Sequence, residues 1–335
     1  MFTSFANINV SSVENLNSTC HFIDVTMNYK LKHNPIPFII KHAGDTAKLS
    51  LLLKTGFLET KLAKDLLLPI LKKQNPDGGF PNQFDNKASG LKTTYSTVSL
   101  LVRCGMPVQS FSVQGALSFI LKQQRPDGGF AEARDVPIPE WMTWESKEKS
   151  VTYYTARIIK LLHLTVMSDT EAFKKAVSWL RGMQQPDGTY PVYEGSETDP
   201  DTTVGVAFLM RELYGEHDEV YKLGKERFEE YLTELAEDAE RGYHYYQGKR
   251  EENDIYHLTR ILHEPVIAAG YDLRDPRVRK IITAVCEAQQ PDGGWRVFWT
   301  EGSDPSYSVY TLELLLLLKA IPEEEVRTWL LSFVE

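Results

Sequence analysis

The sequence is short of cysteine, of long apolar runs and of blocks of positive charge, and each shortage closes off a class of protein. Its three cysteines, Cys20, Cys104 and Cys286, are widely scattered. An odd, dispersed set is no disulfide framework, and no pair has the spacing of a zinc motif. They read as thiols in a reducing compartment, so the expected location is the cytoplasm. The longest aliphatic run, Leu314 to Leu318, is far too short to span a bilayer. Met1 to Leu16 has neither a basic start nor an extended apolar stretch, so no secretory signal is expected. The net charge of -9, with no lysine–arginine block to offset it, argues against a nucleic-acid partner. What is present is an ordinary globular composition, 42% apolar and 25% charged over 335 residues. Nothing in it bears on oligomeric state.

Self-similarity is the strongest positive signal. Gln74-Asn75-Pro76-Asp77-Gly78-Gly79-Phe80 returns as Gln124-Arg125-Pro126-Asp127-Gly128-Gly129-Phe130. It returns again as Gln184-Gln185-Pro186-Asp187-Gly188-Thr189-Tyr190 and as Gln289-Gln290-Pro291-Asp292-Gly293-Gly294-Trp295. The last interval is about twice the others, so one turn is eroded, and Arg241-Gly242-Tyr243 sits where it belongs. Proline ends the preceding helix, and Pro-Asp-Gly-Gly favours a tight reversal with positive φ at glycine.

Two helical runs fall between successive turns, giving six pairs. The first runs are Thr46–Lys54, Lys92–Cys104, Val151–Leu164, Thr202–Tyr214, Ile255–Ala269 and Tyr307–Lys319. The second runs are Lys61–Lys73, Ser112–Gln123, Glu171–Met183, Glu219–Glu237, Arg277–Ala288 and Glu323–Phe333. The first set is the more apolar and the second carries the charge, which suggests two concentric rings. Six hairpins can close into an all-α, α6/α6 barrel, a single domain over residues 44–335. Residues 1–43 fit no repeat and are expected to pack over one end of the barrel as a lid.

One helix start stands apart. In Glu197-Thr198-Asp199-Pro200-Asp201-Thr202-Thr203, Asp199 suits an N-cap and Pro200 the first helical position. Asp304-Pro305-Ser306-Tyr307-Ser308 opens another helix with the same cap and proline, but has Ser306 where the first has Asp201. A cap accounts for Asp199 and Asp304 and does not require Asp201. The next first run opens on Asp254-Ile255-Tyr256-His257, and neighbouring inner helices of a toroid start at one rim, so Asp201 and His257 are expected to meet.

The repeated Gln-x-Pro-Asp-Gly-Gly-aromatic element resembles the repeat of squalene–hopene cyclases, class II terpene cyclases and protein prenyltransferase β subunits, from about residue 45 to the end. That resemblance implies an α6/α6 barrel with a central apolar pocket. Class II cyclases carry Asp-x-Asp-Asp where this chain has Asp199-Pro200-Asp201-Thr202. The variant Asp-x-Asp-Thr-Thr, matched by Asp199, Asp201, Thr202 and Thr203, is similar to drimane-forming cyclases of farnesyl diphosphate. By resemblance, Asp201 protonates the terminal alkene, Asp199, Thr202 and Thr203 orient it, and His257 hydrogen-bonds it, as a histidine does in hopene-type enzymes. The expected product is a bicyclic drimane-type diphosphate. Such an acid must be buried enough to keep its proton and supported enough to release it.

A cation formed in such a pocket is stabilised by aromatic faces. Tyr95, Tyr153, Tyr154, Tyr256, Tyr307 and Tyr310 lie on the inner runs, and Trp141, Trp144, Phe298 and Trp299 on loops that could complete the rim. Core packing explains each one equally well alone. For the diphosphate, Lys249, Arg250 and Arg296, with Lys147 and Lys149, are the candidates near a barrel mouth. Protonation needs no cofactor, and no metal ligands are assigned. Magnesium could bridge the head group, although no dedicated carboxylate motif is present. A DDxxD-type ionisation motif is absent, so the diphosphate should be kept.

Two alternatives stay open. Protein prenyltransferase β subunits hold zinc with Asp, Cys and His, where this chain offers Asp201, Thr203 and His257; a threonine hydroxyl is a poor zinc ligand. A non-catalytic toroid that serves as an interaction domain is the other.

Overall fold

The computed structural model describes residues 29–334 apart from positions 86, 141, 143, 247 and 253. Trp141 and residues 1–28 therefore lie outside the described residues. The helices are α1 (Ile36–His42), α2 (Asp45–Lys54), α3 (Lys61–Lys72), α4 (Leu91–Arg103), α5 (Phe111–Leu121), α6 (Thr152–Leu164) and α7 (Glu171–Gly182). They continue with α8 (Pro200–Tyr214), α9 (Glu219–Arg241), α10 (Ile255–Thr259), α11 (His263–Ala269), α12 (Pro276–Glu287), α13 (Pro305–Leu317) and α14 (Glu323–Val334). Two short antiparallel pairs join them, β1 (Phe80–Pro81) with β2 (Ser89–Gly90) and β3 (Tyr243–Tyr246) with β4 (Lys249–Glu252). The fold is the expected helical toroid. Helices α2, α4, α6, α8, α10–α11 and α13 form the inner ring, and α13 packs on α2 to close it.

Each Gln-Pro-Asp-Gly turn binds three helices together. The Gln74 amide donates to the carbonyl of Gly78 in its own turn and to that of Ser112, at the start of the next outer helix. Gln124 does the same with Gly128 and Ala172. The asparate of the turn caps it, as when Asp77 accepts from the Gly79 N–H and the Ser89 hydroxyl. The first glycine is required twice over. Gly128 has φ of 99°, and a Cβ there would lie 2.7 Å from the Lys175 carbonyl oxygen. The aromatic residue after the turn donates its N–H to a hydroxyl on the inner helix. The pairs are Phe80 with Thr94, Phe130 with Thr155, Tyr190 with Thr203 and Trp295 with Ser308, all at 2.8–3.0 Å.

The fourth turn holds the described part of the N-terminal segment. Gln289 exchanges hydrogen bonds with the backbone of His33, and Gly293 packs against Asn34. Helix α1 therefore takes the outer position that follows α12, beside α13 and α14. At the eroded turn, α9 runs on to Arg241, Gly242 ends it in the left-handed region, and the β3–β4 hairpin stands in place of the missing element. The run expected over Ile255–Ala269 is two helices. Pro265 has no N–H to give to Ile261, so the helix breaks at residues 260–262.

Inner helices leave through a left-handed residue. It is glycine at Gly56, Gly105, Gly215 and Gly270, but Val166 with φ of 59° and Lys319 with φ of 54° in the other two. A β-branched residue is strained there, and Val166, 89% exposed, has little packing to lose. Val166→Gly should raise stability by about 0.5–1 kcal/mol in urea melts, the release of strain outweighing the added freedom of the unfolded chain. A variant less stable than the parent would show that the valine is held by contacts.

Candidate active site

The site begins at the start of α8. Asp199 is the N-cap, its Oδ2 accepting the Thr202 N–H at 2.7 Å, and Pro200 is the first helical residue. Thr202 and Thr203 are buried, and the Thr203 hydroxyl is occupied by the Tyr190 N–H. The bond that Thr203 makes recurs in other repeats, so it is a fastening of the fold. Asp201 is different in kind: it turns toward the inner ring.

Asp201 Oδ2 accepts the Tyr256 hydroxyl at 2.8 Å. Its Oδ1 is buried without a hydrogen bond; Arg260 Nε lies 3.3 Å away, near enough for charge pairing but not aligned to donate. The side chain keeps 24% of its surface accessible. Burial raises the carboxyl from the ordinary 3.8 to about 6, against the opposing pull of Arg260 and the Tyr256 hydrogen bond.

An aromatic belt surrounds it. The Tyr256 ring meets Trp299 at 5.0 Å and Tyr307 at 5.3 Å between centroids, both near edge-to-face. Phe298 packs on Trp299, and Tyr307 on Tyr310. Asp254 holds this loop to α10, since one of its oxygens accepts both the Tyr256 and the Phe298 N–H. Tyr95, Tyr153 and Tyr154 form a second cluster on α4 and α6. The hydroxyls of Tyr95 and Tyr154 are buried there without hydrogen-bond partners.

Deeper in the ring the lining changes character. Arg157 Nη1 pairs with Glu264 Oε1 at 2.5 Å, and Lys160 Nζ pairs with Glu264 Oε2 at 2.9 Å and with Glu212 at 3.0 Å. Arg157 is 37% and Lys160 32% accessible although both face the ring centre, so the lumen is open to water at that level. A small recess of about 10 Å³ lies among Tyr153, Arg157, Lys160, Thr202, Gly205 and Glu264, room for roughly one water. At this level charged side chains thus stand beside apolar ones, Ala156 and Leu209 among them. A larger open hollow of about 530 Å³ lies near Arg211 and Asp272, at the opposite end of α8 from Asp201. Charges there are already paired, Arg211 with Glu216 and Arg274 with Asp272.

The sequence pattern of the prenyltransferase alpha-alpha toroid domain matches residues 46–243 and again residues 137–334. The chain belongs to this family. Among solved structures, a type II terpene cyclase from Scytonema superposes with TM-score 0.55 at 16% identity, covering 82% of this chain and 87% of the other. The ent-copalyl diphosphate synthase from Streptomyces platensis does so at 0.52 and 16%, covering 82% of this chain and 50% of that one. An alpha-amylase from Clostridium perfringens is as similar, at 0.55 and 12%, covering 83% and 85%. At such identities the likeness shows the toroid alone. No curated protein matches the sequence.

Within the toroid, the structure separates residues that the sequence put together. His257 does not meet Asp201. Its Nε2 bonds Asp238 of α9 at 2.6 Å and its ring stacks on His244 at 3.8 Å. Burial, then the neighbouring His244, lowers His257 to about 4. The reason is helical rotation: Tyr256 faces the lumen, and the next residue faces the outer ring. The zinc trio therefore does not converge either. The proposed diphosphate cations are engaged locally: Arg250 with Glu252 and the Tyr243 ring, Arg296 with Glu251 and the Thr300 carbonyl, Lys149 with the Glu194 carbonyl. Lys249 is exposed on β4, and Trp144 is 41% exposed on the loop before α6. No helix among the described residues is long and apolar enough to cross a membrane. Arg260, Arg157, Lys160 and Glu264 were not singled out from the sequence. The available signal was charge on the otherwise apolar inner runs.

Burial alone would raise Glu264, but Arg157 and Lys160 overcome it and hold the carboxyl down from the ordinary 4.5 to about 2. A depressed carboxyl contributes stability above its unfolded pKa and loses it as pH falls toward the folded value. Glu264→Gln should therefore destabilise by roughly 3 kcal/mol near neutral pH, with the gap to wild type closing as pH drops below about 4.5. Urea melts across that pH range check it; a gap independent of pH would assign the loss to packing.

Proposed function

We propose that the chain is a protonation-initiated cyclase of a prenyl diphosphate, with Asp201 as the general acid and the diphosphate retained. The observation that carries this is an acid raised to about 6 on the lumen wall, touching an aromatic belt. In this reading the Asp201 carboxyl O–H bond breaks and the proton adds to the terminal alkene. Alkene π electrons then close the rings, and a final C–H bond breaks to leave a double bond. Arg260 and the Tyr256 hydroxyl stabilise the carboxylate left behind. The faces of Tyr256, Tyr307, Tyr310 and Trp299 stabilise the moving positive charge. The proton step uses no cofactor. The Asp-x-Asp-Thr-Thr element favours farnesyl diphosphate as substrate and a drimane-type bicycle as product.

The comparisons lend support at the level of architecture. One structure of the Scytonema cyclase contains geranylgeranyl dihydroxybenzoate as that protein's substrate. Variants of that cyclase have been solved at an aspartate, a tyrosine and an arginine. A second reading has one observation behind it: the charged floor of the lumen suits a polar ligand, and the alpha-amylase shares the toroid. Release of reducing ends from starch, with no cyclised prenyl product, would favour that reading.

Incubation with farnesyl and geranylgeranyl diphosphates, phosphatase treatment and mass spectrometry of the alcohols is the direct test. Asp201→Asn should lose at least about 100-fold in kcat. Wild-type rates in that variant would end the proposal. Because the acid form reacts, kcat should fall as pH rises through about 6. Tyr256→Phe removes a bond that favours the carboxylate, so it should slow turnover about tenfold and move that limb to higher pH. A limb that stays in place would assign the Tyr256 hydroxyl to substrate packing.

A further inference from the structure

Four inner helices follow a full Gln-Pro-Asp-Gly turn, and each carries a threonine or serine four residues after its cap: Thr94 in α4, Thr155 in α6, Thr203 in α8 and Ser308 in α13. That hydroxyl takes the N–H of the aromatic residue after the turn. Helix α10 follows the eroded turn. Four residues after its cap, Asp254, stands Leu258, which has no hydroxyl to offer. The helix so deprived carries Tyr256 and Arg260, both of which reach Asp201. It is five residues long, too short to hold its own conformation.

A different set of groups ties it to the chain before it. His257 bonds Asp238 of α9 through Nε2 at 2.6 Å, and Asp238 is itself paired with Arg241. The His244 ring, on β3, lies flat against that of His257, 3.8 Å away between centroids and within 9° of parallel. The His244 Nε2 is 3.5 Å from Oδ2 of Asp254. The Asp254 side chain is only 1% accessible, so water does not compete for its contacts. Its Oδ1 holds the Tyr256 and Phe298 N–H groups. Two imidazoles and two carboxyl groups thus run from α9 to α10, across to β3, and back to the cap of α10. We propose that the stacked His244–His257 pair, with Asp238 and Asp254, fastens α10 in place of the missing turn bond and so positions Tyr256 and Arg260 against Asp201. The two histidines are positioning residues: they act through α10 and its cap. The fastening does not depend on the cyclase reading; its effect on turnover does. Without the pair, α10 keeps its bonds to the loop before α13, from the Ile255 N–H to the Arg296 carbonyl and from the Phe298 N–H to Asp254. Those hold it from the following repeat alone, and a small rotation would carry the Tyr256 hydroxyl out of reach of the acid.

Native-state hydrogen exchange of the full chain, read at the amides of Tyr256 and Arg260, tests the fastening without reference to turnover. His244→Leu and His257→Leu should each speed exchange there at least about tenfold. Glutamine places an amide donor at about the reach of Nε2, so His257→Gln should restore most of the protection that His257→Leu loses. Equal effects of leucine and glutamine, or exchange that no variant changes, overturn the fastening. If the leucine variants do not fold, Asp238→Ala takes their place, and unchanged exchange in it overturns the fastening too. In the cyclisation assay, His257→Leu should lower kcat and move the limb near 6 to higher pH, because Tyr256 and Arg260 both favour the carboxylate. Faster exchange with that limb left in place overturns the positioning role. Faster exchange in the leucine variants, with no cyclic product from the wild type, keeps the fastening and ends the cyclase reading. Cyclic product from the wild type, with exchange unchanged in those variants, does the reverse.

Discussion

The arrangement depends on one hydrogen bond made again and again: the N–H that follows each Gln-Pro-Asp-Gly turn donated to a hydroxyl near the start of an inner helix. It fixes the inner helix against its turn, and the glutamine fixes the turn to the next outer helix. Ring level is therefore set by structure, not by function. Thr203 is fastened, so Asp201, half a turn earlier, must lie at the rim. Thr155 fastens Tyr153 at the same height, and Ser308 does so for Ser306. What distinguishes one repeat from another is the residue written two positions before the hydroxyl. Because the fastening is buried and common to the repeats, it leaves that position free to change.

Asp201 and Glu264 show how one lumen drives two carboxyls in opposite directions. Both are screened from water by the ring, and burial favours the protonated form of each. Glu264 has two cations bonded directly to its oxygens, and they win. Asp201 has one guanidinium, set beside it without alignment, and a neutral phenol; there burial wins. An acid that must hold a proton and then release it needs this intermediate support. A fully bonded guanidinium would leave a permanent carboxylate, and no cation at all would leave an acid too weak to give its proton up. The same comparison explains why the charged pair lies below the acid and not beside it.

Much of the toroid was legible because its signals are local. Proline and glycine mark each turn, and apolar periodicity marks each helix, so boundaries agree within a few residues. The site was legible only where it broke a pattern. Asp201 stood out against Ser306 in an otherwise equivalent helix start. Its partner did not, because which of Tyr256 and His257 faces the lumen depends on helix rotation, and one residue changes the answer by about 100°. The ion network was hidden for another reason. Arg157 and Glu264 lie far apart in the chain, and each alone looks like a solvated charge. The place of α1 was hidden as well, since its contact with the fourth turn uses the backbone of His33 and not a repeated side chain.

Architecture by itself leaves the chemistry open, as the equal likeness of a terpene cyclase and an alpha-amylase makes plain. The departure from the repeat at the fifth hairpin is more telling. Pro265 interrupts the inner helix, and Arg260 ends the short α10 still in helical geometry. Tyr256 and Arg260 are thus four residues apart on one helical face, with the guanidinium 6.0 Å from the ring, and both reach Asp201 on the neighbouring helix. An unbroken helix would carry Glu264 straight on from that face. The break instead lets Glu264 turn to α6, where it binds Arg157 and Lys160. One helix-breaking residue thereby parts the acid's supporting groups from the ions beneath them, so that Asp201 and Glu264 keep separate partners within one lumen.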